Sequence, residues 1–198
     1  MNLQAVTLQG QHARLEPLRL DHAAALSEAV QDGELWRLWY TAIPTPAAMA
    51  SEVQRRIDLQ ASGSMLPFAV IHLPDERMAG MTTYMHIDRA NRRLEIGSTW
   101  YRQSLQRTAL NTECKRMLLG HAFEVLDGIA VEFRTHWHNT ASRRAIERLG
   151  AKLDGVLRNH QIAANGSLRD TCVYSIVASE WPAVKAHLDH ALHARRTP

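Results

Sequence analysis

A short segment, Gln106 to Asn111, combines one cation with small and turn-forming residues just before a predicted helix. Arg107 supplies the cation, and Asn111 is a residue type favoured at the N-cap of a helix. Backbone N–H groups at a helix N-terminus lack internal partners, and the helix dipole favours negative charge there. The segment is therefore a candidate phosphate site, although an ordinary capped helix after an ordinary loop would have the same residue types.

The residues after this segment have the spacing of a helix with one buried face. Apolar or small side chains recur at Cys114, Met117, Leu118, His121, Ala122 and Val125. This spacing predicts a helix over residues 111–126. Strands are predicted on both sides of it, at residues 93–101 and 130–137. Two such strands in one sheet would be parallel and joined by a right-handed crossover.

Period-two alternation predicts which residues of the first strand share a face. One face would carry Leu94, Ile96, Ser98 and Trp100, and the other Glu95, Gly97, Thr99 and Tyr101.

This region resembles the GNAT superfamily of acyl-CoA-dependent N-acetyltransferases, and within it the branch of ribosomal-protein N-terminal acetyltransferases. The family's pyrophosphate loop reads Gln/Arg-x-x-Gly-x-Gly/Ala, and residues 106–111 match it as Q-R-T-A-L-N. Ala109 replaces the usual first glycine, and Asn111 replaces the second small residue. Alanine costs little in a right-handed conformation and asparagine tolerates a left-handed one, so the loop can still form.

A second family element, Asn-x-x-Ser/Ala followed by Leu-Gly at the end of a helix, is matched by Asn139, Ser142 and Leu149-Gly150. The resemblance covers roughly residues 78–177. It implies a single α/β (α+β) domain over residues 1–198. Its sheet would be mixed, mostly antiparallel and seven-stranded, flanked by helices, with a parallel strand pair splayed around the central helix.

The resemblance also implies that an acetyl group passes from acetyl-CoA to a primary amine by direct nucleophilic attack, the amine being a peptide N-terminus or a small molecule. Backbone amides of the loop would hold the pyrophosphate, and a strand N–H would face the thioester oxygen. The implied cofactor-binding residues are Trp100, Tyr101, Gln106, Arg107, Thr108, Ala109, Leu110, Asn111, Thr112, Asn139 and Arg143.

Two catalytic roles follow from the same resemblance. Many relatives carry a tyrosine seven residues after the motif asparagine to protonate the leaving thiolate, and that position here is Ile146. Ser142 is then the candidate acid, with a plain helix-start serine as the alternative. Glu95 matches the glutamate used as general base, with a surface or salt-bridged glutamate as the alternative.

Three aromatic residues are candidates for contacting the acceptor. Trp36, Trp39 and Tyr40 lie where the family's chain overhangs the acceptor site, although such a cluster is also typical of a core. His136 and His138 are alternative bases or core-edge histidines. His187, His190 and His193 recur near the C-terminus, but a terminal helix is a poor metal scaffold, so no metal is expected.

Two other functions compete with catalysis. A non-catalytic acyl-CoA-binding protein would fit the substituted loop glycine and the absence of an obvious proton donor. A nucleic-acid-binding domain has no motif to support it, because the 23 basic residues are spread through the chain and the net charge is only +3. Nucleic acid is therefore not expected as the principal ligand.

The composition bounds the remaining possibilities. A chain of 198 residues with 45% hydrophobic content suits one domain. Two cysteines, both in predicted buried positions, indicate reduced thiols and a cytoplasmic protein. The chain has neither a membrane-length apolar run nor a signal-peptide pattern, so no membrane partner is expected. A homodimer is a possible assembly.

The other elements are predicted from turn and capping signals. Helices are expected from Asp21 to residue 32, over 47–61, over 141–149 and from Ser179 onward, with a frayed tail over 194–198. Strands are expected at 6–18, 66–73, 78–87, 152–162 and 167–177. Asn165-Gly166 joins the last two strands as a hairpin.

Overall fold

The computed structural model describes residue 1 and residues 3–194. The strands are β1 (Leu8–Gln9), β2 (Ala13–Pro17), β3 (Met65–His72), β4 (Arg77–Asp88), β5 (Arg93–Tyr101), β6 (Ala130–His136), β7 (Lys152–Ile162) and β8 (Leu168–Val177). The α-helices are α1 (Ala23–Gln31), α2 (Met49–Ala61), α3 (Ala109–Gly120), α4 (Thr140–Glu147) and α5 (Trp181–Ala194).

The strands form one sheet in the order β1-β2-β3-β4-β5-β6-β8-β7. Neighbouring strands are antiparallel except β5 and β6, which are parallel and connected through α3. The mixed, mostly antiparallel architecture with one parallel pair is therefore confirmed. The hairpin of β7 and β8 also forms as predicted. Of the tail predicted to be frayed over residues 194–198, Ala194 ends α5 and residues 195–198 lie outside the described residues.

The sheet has eight strands instead of seven because the first predicted strand is divided in two. The Glu113 carboxylate on α3 accepts hydrogen bonds from the backbone N–H groups of Gln11, His12 and Ala13 at 2.9, 2.7 and 2.8 Å. These bonds hold the turn between β1 and β2. A Cβ at Gly10 would lie 2.4 Å from the carbon of the same carboxylate, so a larger residue there would displace the carboxylate from these bonds.

Two cores lie on opposite faces of the sheet. One core packs α3, α4 and α5 against the sheet through residues such as Cys114, Leu118, Ile146 and Trp181. The other packs α1 and α2 through residues such as Leu26 and Val53. On this second face, β6, β8 and β7 line an open groove of about 490 Å³. No helix of the described residues is both long and apolar enough to cross a membrane.

Two β-bulges distort the pairing of β4 with β5. On β5, Ser98 and Thr99 together face one residue of β4, because Gly97 pairs with Thr83 and Trp100 with Met81. On β4, His86 and Ile87 lie between the pairs Met85↔Glu95 and Asp88↔Arg93. Each bulge inserts one extra residue and so reverses the facing of the residues beyond it.

The bulge on β5 makes the predicted alternation wrong. Leu94, Ile96 and Tyr101 belong to the core beneath α3, whereas Trp100 belongs to the core beneath α1 and α2. Strict alternation placed Trp100 with Leu94, but the extra residue at the bulge moves it to the other face.

Helix α3 begins earlier than predicted. Its N-cap is Thr108, whose side chain accepts a hydrogen bond from the Leu110 N–H, so Asn111 lies inside the first turn. The prediction of Asn111 as the N-cap is therefore wrong, and Thr108, another residue type favoured at N-caps, takes that position. The α-helix ends at Gly120 and continues as a π-helical turn, His121–Val125.

Candidate active site

A cleft opens between β5 and β6 because their pairing stops early. The ladder consists of Arg93↔Ala130, Leu94↔Val131 and Glu95↔Glu132. Beyond Glu95 the two strands no longer pair, so the backbone edge of β5 that faces β6 lacks a ladder partner there. Such an edge presents N–H and C=O groups that a ligand can use.

The loop from β5 to α3 closes one end of this cleft. The Gln106 side-chain amide donates to the Tyr101 carbonyl at 3.3 Å, and the Thr108 hydroxyl donates to the Leu105 carbonyl at 2.7 Å. Arg107 has φ +61°. The left-handed conformation therefore falls on Arg107 rather than on Ala109 or Asn111, which are both helical.

This geometry explains why the loop forms without the usual glycines. A residue inside the first turn of a helix needs no left-handed conformation, so alanine at position 109 costs little. The N–H groups at the start of α3 lie next to the end of β5, and they fit an anionic group such as a pyrophosphate. Leu110 and Thr112, by contrast, have buried side chains, so only their backbone could contribute.

A buried lysine supports the bulge on β5. Lys115 on α3 is 6% exposed, and its Nζ donates to the hydroxyls of Thr99 at 2.8 Å and Thr82 at 3.2 Å. Burial lowers the pKa of this ammonium to about 8. The bulge is therefore supported on its buried side by the Lys115 cation, whose hydrogen-bond partners are neutral hydroxyls.

Glu95 lies at the closed end of the cleft and is 4% exposed. Its Oε2 is 2.7 Å from Nδ1 of His86 and 3.6 Å from Nε of Arg134. Burial raises the pKa of Glu95, while the hydrogen bond with His86 and the charge of Arg134 oppose that increase. A Cβ at Gly97 would lie 2.6 Å from Oε1, so the absence of a side chain there leaves room for the carboxylate.

Aromatic residues and histidines gather at the C-terminal end of β6. The Trp39 ring lies 5.1 Å from His136 and 5.6 Å from both Tyr40 and His138, measured between ring centroids. Trp39 and Tyr40 therefore lie over the end of β6, and their contact with an acceptor stays a prediction. Trp36 packs instead against the core of α1 and α2.

His136 is buried, and its Nδ1 accepts a hydrogen bond from the His138 backbone N–H at 3.0 Å. Burial, followed by the nearby charge of Arg169, lowers the pKa of His136. A neutral ring whose Nδ1 accepts carries its proton on Nε2, which has no hydrogen-bond partner among the described residues. His136 is therefore arranged as a hydrogen-bond donor rather than as a base.

The second motif lies at the start of α4. Asn139 is the N-cap, and its Oδ1 accepts a hydrogen bond from the Ser142 N–H at 3.1 Å. Arg143 donates to the Tyr174 hydroxyl at 3.1 Å and lies over the Trp137 ring at 4.3 Å. These contacts hold Arg143 against β8. Ile146 is buried in the core and offers no proton.

The model of the acetyltransferase (GNAT) domain family matches residues 12–152, which is most of the chain and includes the cleft. The chain belongs to the GNAT acetyltransferase family. That membership confirms the family that the loop and the Asn-x-x-Ser element indicated.

Individual relatives agree with this assignment. The structure of a GCN5-related N-acetyltransferase from Brucella melitensis is 31% identical, with a TM-score of 0.84 and with 96% of this chain and 86% of that chain covered. A Bacillus subtilis protein provisionally named ribosomal N-acetyltransferase YdaF is 31% identical over 57% of this chain, and that match spans 61% of its own length. Mycobacterium smegmatis RimJ in complex with CoA-disulfide shares the fold at 23% identity and a TM-score of 0.79, with 94% of this chain and 93% of that chain covered.

Several charged or titratable groups around the cleft of this GNAT acetyltransferase were not predicted from its sequence. They are His86, Lys115, Arg134 and Arg169. Alternation along β6 could have placed Arg134 on the face of Glu132. No sequence pattern predicted His86 or Lys115. His86 is positioned by a bulge, and Lys115 is positioned by contacts with residues far along the chain. Among the described residues, no group of His, Cys, Asp and Glu could hold a metal ion.

Proposed function

We propose that this protein transfers an acetyl group from acetyl-CoA to a primary amine, and that the N-terminal amine of a ribosomal protein is the first acceptor class to test. The observation that carries the proposal is the cleft between β5 and β6. It opens immediately beyond a buried carboxylate, Glu95, and ends at the N-terminus of α3. The provisional name of the Bacillus subtilis relative motivates the choice of acceptor.

Acetyl-CoA supplies an activated acyl thioester when bound. The backbone N–H groups of residues 107–112 would hold its pyrophosphate, with Gln106 and Thr108 fixing the loop and Arg107 adding positive charge. A backbone N–H near Trp100 or Tyr101 would serve as oxyanion donor. The Oδ1 of Asn139 caps α4, so its amide NH₂ is the part free to bind the pantetheine arm. Arg143 is a weaker candidate, because its guanidinium already contacts Tyr174.

Glu95 would act as the general base. An ammonium group cannot attack a carbonyl, so the acceptor must lose a proton, and α-amino groups have pKa values of about 7.7–8.0. Burial raises the pKa of Glu95 and makes its carboxylate a stronger proton acceptor than an exposed one. Ser142 would provide the proton for the leaving thiolate from the first turn of α4.

The acceptor would enter over the face that α1 and α2 leave open. Trp39 and Tyr40 would contact it beside His136, whereas Trp36 would act from the core behind them. We place the protein in the cytoplasm as a single domain, because both cysteines are free and buried. Light scattering will decide between a monomer and a homodimer.

The test is turnover of acetyl-CoA with a panel of acceptors. The panel contains peptides with free N-terminal alanine, serine or methionine, together with a polyamine and an aminoglycoside. Thiol release and acetylation of the acceptor, detected by mass spectrometry, must appear together. Tight binding of acetyl-CoA without turnover of any acceptor would instead indicate a protein that only binds acyl-CoA.

A further inference from the structure

The buried position of Glu95 raises the question of how its proton leaves. The Glu95 side chain is 5% exposed, so a proton taken from the acceptor cannot pass directly to bulk water. Without an exit, Glu95 would stay protonated and could not serve in the next turnover. The following inference rests on the proposed role of Glu95 as general base.

His86 is the side chain placed to receive that proton. Its Nδ1 lies 2.7 Å from Oε2 of Glu95, which is hydrogen-bond distance. The His86 side chain is 59% exposed, so water and buffer reach the ring. One end of this pair therefore lies in the cleft and the other in solvent. Histidine is also the side chain that exchanges protons most readily near neutral pH.

The bulge on β4 is what brings His86 to Glu95. Met85 pairs with Glu95, and its sulfur lies beside Gly97 on the cleft face. In a regular strand the next residue, His86, would face the opposite core. At the bulge, His86 instead has φ +46° and turns toward the carboxylate, while Ile87 packs against the core beneath α3.

This conformation has an energetic cost. A left-handed conformation is unfavourable for an L-residue other than glycine or asparagine. Such strain persists only where surrounding contacts impose it, and it concentrates at functional sites.

The other charged groups around Glu95 cannot carry the proton. Arg134 on β6 and Arg169 on β8 stay protonated at any working pH. Glu132 on β6 is paired with both Arg93 and Arg134, at 2.6 and 2.9 Å. Each Glu132 oxygen therefore already accepts a hydrogen bond from a guanidinium group.

We propose that His86 is the proton exit of the general base. The acceptor N–H bond breaks as the Glu95 O–H bond forms. The proton then passes from Oε2 to Nδ1 of a neutral His86 ring that carries its own proton on Nε2, which restores the carboxylate and makes an imidazolium. The exposed imidazolium releases its Nε2 proton to water or buffer, and exchange with solvent returns the remaining ring proton from Nδ1 to Nε2 before the next turnover. One proton moves through the whole sequence, and no electrons are gained or lost.

The test is His86→Gln, which keeps a hydrogen-bond donor beside Glu95 but cannot carry a proton. With acetyl-CoA and the fastest peptide of the panel, we expect kcat to fall about tenfold, below the usual range for losing a general base itself. KM for both substrates and the thermal midpoint should stay close to wild type. Added imidazole should restore kcat in a concentration-dependent way, while wild-type kcat should not respond.

His72→Gln is the matched control. His72 forms a similar pair, with Nδ1 2.8 Å from Oδ1 of Asp75, at the end of β3 away from the cleft. Its substitution should neither lower kcat nor create a response to imidazole. Wild-type kcat in His86→Gln, or a loss that imidazole does not restore, would overturn the relay. A wild-type protein that turns over no acceptor in the panel would refute the proposed function itself.

Discussion

The two β-bulges of strands β4 and β5 differ in what holds them. They lie on either side of Glu95 and have nearly the same backbone distortion, with φ +46° at His86 and +48° at Ser98. The bulge on β4 is held by an exposed imidazole against a buried carboxylate. The bulge on β5 is held by a buried ammonium against two threonine hydroxyls.

This difference matches the two proposed tasks of the cleft. In the proposed relay, the end near His86 exchanges protons with solvent, and its hydrogen-bonded pair is accessible from one side. In the proposed ligand site, the end near Lys115 keeps a backbone edge open, and its support is buried in the core. The same local distortion thus gives a reactive position in one place and a rigid one in the other.

Glu95→Gln is expected to have the largest effect. It removes the carboxylate that His86 contacts at the bulge on β4 and that we propose as the general base. We expect kcat to fall by about 10²-fold or more at neutral pH. The loss should shrink as pH rises, since the acceptor amine then deprotonates unaided. A kcat profile measured from pH 6 to 9 checks both points. An unchanged profile would remove Glu95 from the mechanism.

Lys115→Met tests the buried bulge through the pH dependence of stability. The pKa of Lys115 is lowered to about 8 in the folded protein. The unfolded chain therefore binds more protons than the folded one between about pH 8 and 10.5, and the cost of burying the ammonium disappears as pH rises through that window. Wild type should gain about 3 kcal/mol at most relative to Lys115→Met across it.

Urea unfolding of both proteins at a series of pH values measures this difference. Burial raises the pKa of the neighbouring Cys114 thiol to about 12, so both proteins lose stability as pH rises through the thiol's unfolded pKa, and this shared effect cancels in the difference between them. Parallel stability curves for the two proteins would show that Lys115 is not a buried ammonium.

Much of the fold followed from local sequence patterns. The strand over residues 93–101 has the predicted bounds, and Asn165-Gly166 joins β7 to β8 as a hairpin. The two bulges could not be predicted, because Ser98 and His86 are ordinary strand residues in sequence. An extra residue becomes visible only when the partner strand's register is known.

The buried charges escaped prediction for a different reason. Glu113 and Lys115 appear in sequence as polar residues on a helix that carries an apolar stripe. Their burial depends on partners far along the chain, since Glu113 binds the backbone of residues 11–13. Asn111 was predicted as the N-cap of α3 from local propensity, whereas the structure places Thr108 in that position.

Arg107→Glu tests the proposed phosphate-binding loop that follows β5. Reversing this charge should weaken acetyl-CoA binding by about 1–3 kcal/mol, the scale of a lost charge-assisted contact. Calorimetry measures the affinity. Arg19→Glu, which makes the same charge change on the exposed turn before α1, should leave it unchanged. If both variants weakened binding equally, the cause would be the overall charge of the protein and not a contact between Arg107 and acetyl-CoA.

The smallest effect is expected at Ser98. Its side chain is exposed, so substitutions there measure the conformational free energy of the bulge without removing a buried contact. Ser98 is exposed and has φ +48°. At a regular exposed strand position, valine is more stable than glycine by up to about 1 kcal/mol. In the left-handed region the order should reverse, because a β-branched side chain collides with the backbone there and glycine does not. Ser98→Gly should therefore be more stable than Ser98→Val by about 1–2 kcal/mol in urea unfolding.

Gln161 provides the control, because it lies on the exposed strand β7 and does not have a positive φ. There the valine variant should be more stable than the glycine variant. The same order at both positions would mean that the β5 bulge relaxes freely, and that Lys115 does not hold it rigid.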